Sequence, residues 1–286
     1  MSRMSLVCVT VMGVLLRPGF AVAIDPHPVL VLDGEVTQGG LITGRTEPGT
    51  RVLLDGQPLR VSADGTFLIG IGRDQTGPLA LTVAAPGARQ TRRELAIKPR
   101  TYRVQRVDGL PESRVTPPPE VSRRIQEEAA RIREVRNNDD PRTDFQSGFV
   151  WPLLGRVTGV YGSQRILNGK PRRPHYGVDV AAPVGTPVVA PADAVVTLVD
   201  PDMYFSGGTL VMDHGHGLTS TFIHLSKILV ETGQSVRQGQ IVAEVGATGR
   251  ASGPHLDWRM NLFDTRLDPA LVAGPMPAAT AERAGP

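Results

Sequence analysis

The chain has 286 residues, of which 40% are hydrophobic and 21% are charged, and its formal net charge is +3. These values suit a globular protein of about two domains. The slight charge, with no block of Lys and Arg, argues against a nucleic-acid partner. The 32 Gly and 25 Pro are more than average proteins contain, and so many turn formers favour mainly β structure.

The first 23 residues have the pattern of a secretory signal peptide. Arg3 gives a short basic start, residues 6–16 are uncharged, and Ala21-Val22-Ala23 has the small-x-small pattern of a cleavage site. Because the apolar run is too short for a bilayer core of about 30 Å, we expect cleavage after Ala23 and no transmembrane span thereafter. An uncleaved anchor is the alternative. We therefore expect a periplasmic or secreted protein of the cell envelope.

The cysteine count fits this location. The single cysteine, Cys8, lies inside the predicted signal peptide. The mature chain would then have no disulfide, no thiolate nucleophile and no thiolate ligand for a metal.

Residues 24–100 have the pattern of a small β domain. Asp55-Gly56 is a hairpin turn signal, and Asp64-Gly65 predicts a second hairpin. Five to seven short strands in about 70 residues predict an immunoglobulin-like sandwich, which we interpret as a spacer or recognition domain. The clearest strand predictions here are 52–54, 59–61, 66–69, 79–84 and 92–97.

Residues 101–145 are predicted to be a linker that contains one helix. A proline run at 117–119 favours stiff extended backbone, and a helix is expected from about residue 120 to 136. Its apolar residues fall close to helical spacing: Val121, Ile125, Ala129, Ile132 and Val135. We expect the narrow stripe to dock on one of the domains. A solvated connector and a partner-binding helix are equally open.

Residues 146–271 return to strands and glycine turns, and residues 272–286 are predicted to be a flexible tail. The strands predicted in this second domain are 188–190, 194–199, 210–212, 221–224, 240–245 and 256–262. The predicted fold class is mainly β, with an N-terminal sandwich, a linker helix and a C-terminal antiparallel sheet.

His175 and Asp179 have the spacing of metal ligands within a segment bounded by glycine and proline. Imidazole and carboxylate both bind zinc at about 2.0–2.2 Å, and a catalytic zinc has three protein ligands and one open position. A third ligand is therefore expected elsewhere in the chain. Asp257 is the candidate, because it lies two residues after His255 in a predicted strand, where both side chains point to one face.

Six short phrases, in this order and spacing over about residues 150–262, resemble the lysostaphin-type (LytM-like) zinc endopeptidases. They are His175-x-x-x-Asp179, Asp213-His214-Gly215-His216-Gly217, Phe222-Ile223-His224-Leu225, Gly233-Gln234-Ser235-Val236, Gly246-Ala247-Thr248-Gly249 and Gly253-Pro254-His255-Leu256. The resemblance implies an antiparallel metallopeptidase domain with one zinc ion in a groove, which cleaves peptide cross-links of bacterial peptidoglycan. It does not extend to the predicted sandwich.

The resemblance also implies roles for individual residues. His175 and Asp179 become zinc ligands, and His224 and His255 take the places of the family's two catalytic histidines. The family's last motif is His-x-His, whose second histidine binds zinc. In this sequence that position is Asp257.

Two interpretations of Asp257 are open. As a direct ligand it would complete a His/Asp/Asp set. The two negative charges of this set would make the bound zinc ion a weaker Lewis acid, so that activation of the water would depend more on His224 or His255 as base. Alternatively it pairs with Arg259, which lies on the same face of the strand, in a structural ion pair. We favour metal binding, because the first motif and both flanking histidines are present.

Three residues outside this set are predicted to bind substrate. Arg173 and Asn168 lie just ahead of the first ligand and could hold acidic peptide stems, although a solvated basic loop is an equal alternative. Tyr204 precedes a strand and could stabilise an oxyanion or cap the groove. His214 and His216, in a glycine turn, are expected to be solvated.

The leading hypothesis is therefore a secreted zinc endopeptidase acting on peptide stems or cross-links of peptidoglycan. A first alternative is a degenerate LytM-like regulator that binds the cell wall and activates cell-wall amidases, which would then be partner proteins. A second is a wall-binding module that holds peptide without cleaving it.

Overall fold

The computed structural model describes residues 29–87, 89–107 and 119–277. The predicted signal peptide, part of the predicted linker and the last nine residues of the chain lie outside these ranges. Among the described residues, no helix is both long enough and apolar enough to cross a membrane.

The N-terminal unit consists of two small antiparallel sheets around one apolar core. The strands are β1 (Val31–Asp33), β2 (Leu41–Arg45), β3 (Arg51–Leu54), β4 (Gln57–Pro58), β5 (Thr66–Gly70), β6 (Leu79–Ala84) and β7 (Thr91–Leu95). One sheet has the order β1-β2-β5 and the other the order β4-β3-β6-β7. The expected small β domain is present, and its assignment as immunoglobulin-like stays a prediction.

Local turn chemistry explains one hairpin of this unit but not the other. Asp55 and Gly56 both have positive φ, 48° and 81°, as a two-residue hairpin between β3 and β4 requires. The second predicted hairpin is wrong: residues 59–61 form no strand, and β5 pairs with β2 instead. The turn at Asp64-Gly65 is local, but its strand finds a partner more than twenty residues earlier in the chain.

The C-terminal unit is built on an eight-stranded antiparallel sheet. Its strands are β9 (Arg156–Gly159), β12 (Val178–Ala181), β14 (Ala194–Met203), β15 (Gly207–Asp213), β16 (Leu218–Leu225), β18 (Ser235–Val236), β20 (His255–Leu262) and β21 (Thr265–Leu267). Their order is β18-β14-β15-β16-β20-β12-β9, with β21 beside β20. A second sheet contains β13 (Pro187–Val189), β17 (Lys227–Ile228) and β19 (Ile241–Glu244), in the order β13-β19-β17.

A third small sheet joins the linker to this unit. Strand β8 (Val104–Val107) runs parallel to β10 (Gln164–Leu167), which also pairs with β11 (Lys170–Pro171). The chain that leaves the N-terminal unit is thereby fixed to the segment just ahead of His175.

Strand β20 shows how the large sheet separates its two faces. Leu256, Trp258 and Met260 are fully buried in the main core. Because side chains alternate along a strand, Asp257 and Arg259 point to the opposite face, which is the face that carries the polar residues described below.

Helix α1 (Pro119–Arg136) packs on that polar face. Its Ile132 and Val135 contact a cluster of Leu198, Met203 and Val211. Val211 lies opposite Thr221, and Thr221 lies opposite Arg259. The helix therefore covers the strands next to Asp257, and its apolar residues dock on the C-terminal unit.

The predicted boundary at residue 271 falls inside a short helix. Helix α2 (Pro269–Ala273) begins after Asp268, whose carboxylate accepts a hydrogen bond from the Ala270 amide. Beyond it, the Trp151 indole donates to the Gly274 carbonyl at 2.9 Å. The start of the predicted tail thus packs against the domain through residue 276, because apolar residues follow the helix cap.

The two units share an interface. Leu68 of β5 belongs to the core of the C-terminal unit, and Gly70 lies against Leu262. Arg100 pairs with the buried Asp268 at 2.8 Å.

Candidate metal centre

Strand register brings two of the predicted ligands together. Asp179 of β12 lies directly opposite Asp257 of β20, so both carboxylates share one face of the sheet. His175 lies four residues ahead of Asp179 and closes the set. Its Nε2 is 3.2 Å from Asp179 Oδ1, and its Nδ1 is 4.0 Å from Asp257 Oδ2.

These three residues fit a metal ion. One donor atom from each lies within 4.8 Å of the other two. Among the residues that the structure describes, the buried His175 Nε2 and Asp179 Oδ1 have no hydrogen-bond partner, and burial of such atoms is costly unless something binds them. Donor atoms on a tetrahedral zinc lie about 3.4 Å apart for bonds near 2.1 Å, close to the 3.2 Å between these two atoms.

Asp257 also forms the ion pair with Arg259 that the sequence allowed. Arg259 Nε donates to Oδ1 at 2.9 Å and to Oδ2 at 3.1 Å, and its NH2 donates to Oδ2 at 2.6 Å. Burial alone would raise the pKa of Asp257, but the charge and hydrogen bonds of Arg259 outweigh it and hold the pKa below its usual value. Asp257 is therefore an anion.

The ion pair and metal binding do not exclude each other. An ionised carboxylate has about four acceptor positions, and the three contacts with Arg259 leave one available. The role of Asp257 as a metal ligand stays a prediction.

Two glycines that sequence analysis did not single out make room for the carboxylates. A Cβ on Gly177 would overlap Asp257 Oδ1, and a Cβ on Gly159 would overlap the carboxylate of Asp179. Neither glycine has the positive φ that commonly explains glycine. Their reason is cross-strand space, which a single sequence does not display.

His224 and His255 lie beside this set with their rings 4.9 Å apart. His224 Nδ1 is 2.8 Å from the Thr248 carbonyl, and His255 Nδ1 is 2.8 Å from the Gly253 carbonyl. Because a carbonyl only accepts, each Nδ1 must carry the proton, and each Nε2 is left as an acceptor. His255 Nε2 is 3.8 Å from Asp179 Oδ1, so this nitrogen faces the metal set.

The backbone of His224 is held in an unusual conformation. Its φ is 66°, in a region that non-glycine residues rarely adopt. Its amide donates to the Ser206 carbonyl at 2.8 Å. The Thr248 hydroxyl in turn donates to the Leu225 carbonyl and accepts from the Gly208 amide, both at 2.9 Å. Thr248 therefore fixes the turn around His224 and the tautomer of its ring. Burial lowers the pKa of His224.

The three predicted substrate-binding residues have different positions. Asn168, with φ of 48°, and Gly169 form the turn between β10 and β11, which gives Asn168 a local structural role. Arg173 is exposed. The Tyr204 amide donates to Glu128 of α1 at 2.9 Å, so the helix positions this residue. Substrate binding by all three stays a prediction.

The expectation that His214 and His216 are solvated is wrong. His214 is fully buried, with Nδ1 2.8 Å from the Asp193 carbonyl and Nε2 2.9 Å from the Ser220 hydroxyl. Burial lowers its pKa to about 4. His216 packs edge-on against Phe145, since the residues that follow α1 fold over the glycine turn.

Together, these features define a candidate metal-dependent hydrolase, with three carboxylate and imidazole side chains that could hold a metal ion, flanked by two imidazoles that present acceptor nitrogens. The sequence profile described as Peptidase family M23 matches residues 173–269. A Pseudomonas aeruginosa protein assigned to peptidase M23 has a structure that matches with a TM-score of 0.63 and 32% identity, covering 84% of this chain and 96% of that chain.

Curated relatives match over shorter parts. The peptidoglycan DD-endopeptidase ShyA of Vibrio cholerae is 44% identical over 87 residues, which are 30% of this chain and 20% of that protein. The cell division protein DipM of Caulobacter vibrioides is 32% identical over 164 residues, or 55% of this chain and 26% of that protein. The chain thus covers about a fifth to a quarter of these two proteins.

The chain belongs to peptidase family M23, the family of lysostaphin-type peptidases, as the six sequence phrases predicted.

Proposed function

We propose that this protein is a zinc-dependent endopeptidase that hydrolyses peptide stems or cross-links of bacterial peptidoglycan in the cell envelope. The observation that carries the proposal is the convergence of His175, Asp179 and Asp257 beside two histidines whose Nε2 atoms are acceptors. Relatives named as peptidoglycan DD-endopeptidases support the choice of substrate. The predicted signal peptide supports export to the periplasm or beyond.

The ligands would be His175, Asp179 and Asp257. When bound there, zinc supplies Lewis-acid polarisation of a carbonyl and increases the acidity of a water molecule. The buried, unpartnered His175 Nε2 and Asp179 Oδ1 supply the donor atoms.

His224 and His255 move the protons. Each has an Nε2 that can take a proton from the attacking water and deliver it to the leaving amine. The Thr248 and Gly253 carbonyls hold the rings in this tautomer throughout. Since the two rings are 4.9 Å apart, one can act as base while the other, when it also carries a proton on Nε2, donates a hydrogen bond to the developing oxyanion.

Arg173, Asn168 and Tyr204 are proposed contacts for the peptide. Arg173 is the most accessible of the three and offers a guanidinium fork to a stem carboxylate. Asn168 and Tyr204 lie in turns whose backbone is fixed, by a hairpin and by α1 respectively.

The test is a His175→Ala variant assayed for release of soluble muropeptides from purified sacculi, with metal content measured in parallel. We expect loss of bound zinc and a fall in activity of at least about 100-fold, because a metal ligand is removed. Lys227→Ala, an exposed residue on the second sheet, is the control. Equal activity in the parent and His175→Ala would refute the catalytic role.

Two observations favour a second function, that of a regulator that binds the wall and activates amidases. The Asp257–Arg259 ion pair can be structural by itself, and α1 covers part of the same sheet face. Absence of zinc from the purified protein, together with unchanged stability of Asp257→Ala, would support this alternative.

A further inference from the structure

Asp257 differs from an ordinary carboxylate at a metal site, because its charge is paired with that of Arg259. Asp257 is 3% exposed, and the fork of Arg259 contacts both of its oxygens. Arg259 is itself 70% buried, with 30% of its side chain exposed. In such a site the charges are poorly screened, so each charge near the metal affects how strongly the metal binds.

A count of charges shows what Arg259 contributes. A catalytic zinc held by one carboxylate and two neutral imidazoles keeps one net positive charge. With Asp179 and Asp257 both anionic, the same ion would be fully neutralised. The guanidinium of Arg259 restores one positive charge, because it is bound to the second carboxylate.

We propose that Asp257 and Arg259 form a neutral ligand unit that takes the place of a histidine at the metal, in which the guanidinium of Arg259 offsets the charge of the second carboxylate. This inference rests on the proposed zinc site. The two residues then depend on each other, so a change in Arg259 should reverse the effect of a change in Asp257.

Space around the pair supports a fixed unit. Gly177 lies directly behind it, where a Cβ would overlap Asp257 Oδ1 and come within 2.8 Å of Arg259 Cγ. The neighbouring Arg266 does not take part in the pair: its guanidinium donates to Asn261 Oδ1 at 3.2 Å on the adjacent strand. Arg266 therefore offers a matched control.

The test is a double-mutant cycle on zinc affinity, measured by competition with a chelator on the full chain. Asp257→His places a neutral ligand beside an unpaired guanidinium, whose repulsion of the dication should weaken zinc binding at least about tenfold. Adding Arg259→Gln should restore the affinity to within about threefold of the parent. Adding Arg266→Gln instead should restore much less, although it removes the same charge.

Arg259→Gln alone keeps the test decisive if Asp257→His does not fold. Because it removes a positive charge next to the metal, we expect zinc to bind at least as tightly as in the parent. A folded Arg259→Gln protein that binds zinc more than tenfold more weakly would overturn the inference.

The remaining outcomes separate the two proposals. If the parent binds zinc, and Asp257→His binds it as tightly as Asp257→His/Arg259→Gln, the pair is not a unit and only this inference fails. If the parent binds no zinc, the metal site of the proposed function fails and this inference falls with it.

Discussion

Residue 177 illustrates how little space the candidate centre leaves. Asp257 and Arg259 lie against its backbone, and its missing Cβ is what allows them to do so. We predict that Gly177→Ala displaces the Asp257 carboxylate and lowers zinc affinity at least about tenfold, as changes that move a metal ligand commonly do. Zinc binding measured by chelator competition checks this.

Gly253→Ala is the control for Gly177→Ala, because a Cβ at residue 253 meets nothing within 4 Å and its carbonyl, which holds His255, is unchanged. Equal zinc affinity in all three proteins would contradict the steric argument.

His214 makes stability depend on pH. It titrates at about 4 in the folded protein and near 6.5 when unfolded, so between these values the unfolded chain binds a proton that the folded protein does not. The free energy of unfolding should therefore fall as pH falls from about 6.5 to about 4, by up to about 3 kcal/mol. Above pH 6.5 the effect disappears.

Urea unfolding of the parent and His214→Gln at pH 7.5 and pH 4.5 tests this prediction. The parent should lose about 2–3 kcal/mol more than the variant between the two pH values. Parallel losses would mean that His214 is not the titrating group.

At the residue scale, the sequence indicated which side chains meet but not what surrounds them. The five residues His175, Asp179, His224, His255 and Asp257 could be chosen from spacing and resemblance. The burial of His214 could not, because Phe145 and Phe149, which pack against the histidines of the glycine turn, come from about seventy residues earlier in the chain.

At the scale of elements, the last residue of α1 is a buried arginine, Arg136, whose burial opposes folding. Arg136 is 4% exposed, donates to Thr221 Oγ1 at 3.2 Å, and has an Nε without a hydrogen-bond partner. Burial, together with the charges of Arg266 and Arg259, lowers its pKa. Within the described part of the chain no carboxylate forms an ion pair with Arg136, and a buried charge without such a partner opposes folding.

We therefore predict that Arg136→Met raises the free energy of unfolding by about 1 kcal/mol, because it keeps the volume and removes the desolvated charge. Arg131→Met, which removes an exposed ion pair with Asp200, should change it by less than about 0.5 kcal/mol. Urea unfolding of both variants provides the measurement. A marked loss of stability in Arg136→Met would show that the guanidinium has a partner that stabilises it.

Periodic elements were the easiest to predict. The helix expected over residues 120–136 spans Pro119–Arg136, and the strand expected over 79–84 is Leu79–Ala84. Residues 59–61 alternate like a strand but form none, because β5 pairs with β2 rather than with its neighbour in sequence. The alternation of apolar and polar residues predicts which face of a strand is buried, but it does not predict which strand is its pairing partner.

At the scale of the whole molecule, a substitution at the interface in the N-terminal unit should also destabilise the C-terminal unit. A Cβ at Gly70 would lie 3.2 Å from the side chain of Leu262 and 3.3 Å from that of Leu267. Gly70→Val should therefore overpack the interface and cost about 1–3 kcal/mol.

Tryptophan fluorescence provides a clean readout for this prediction, because Trp151 and Trp258 both lie in the C-terminal unit and are the only tryptophans in the chain. The unfolding midpoint should fall in Gly70→Val. It should not fall in Gly72→Ala, where a Cβ meets nothing within 4 Å. An unchanged midpoint in both variants would mean that the units unfold independently.

The register that places Asp179 opposite Asp257 also limits how this sequence can vary in length. Turns that carry none of the site residues can gain or lose residues while the sheet keeps the strand ends in place. Within β20 the alternation of side chains between the two faces is the constraint: one inserted residue between His255 and Asp257 would turn Trp258 out of the core and a carboxylate into it. A single insertion there would therefore exchange the two faces of the strand, whereas an insertion of two residues would keep them.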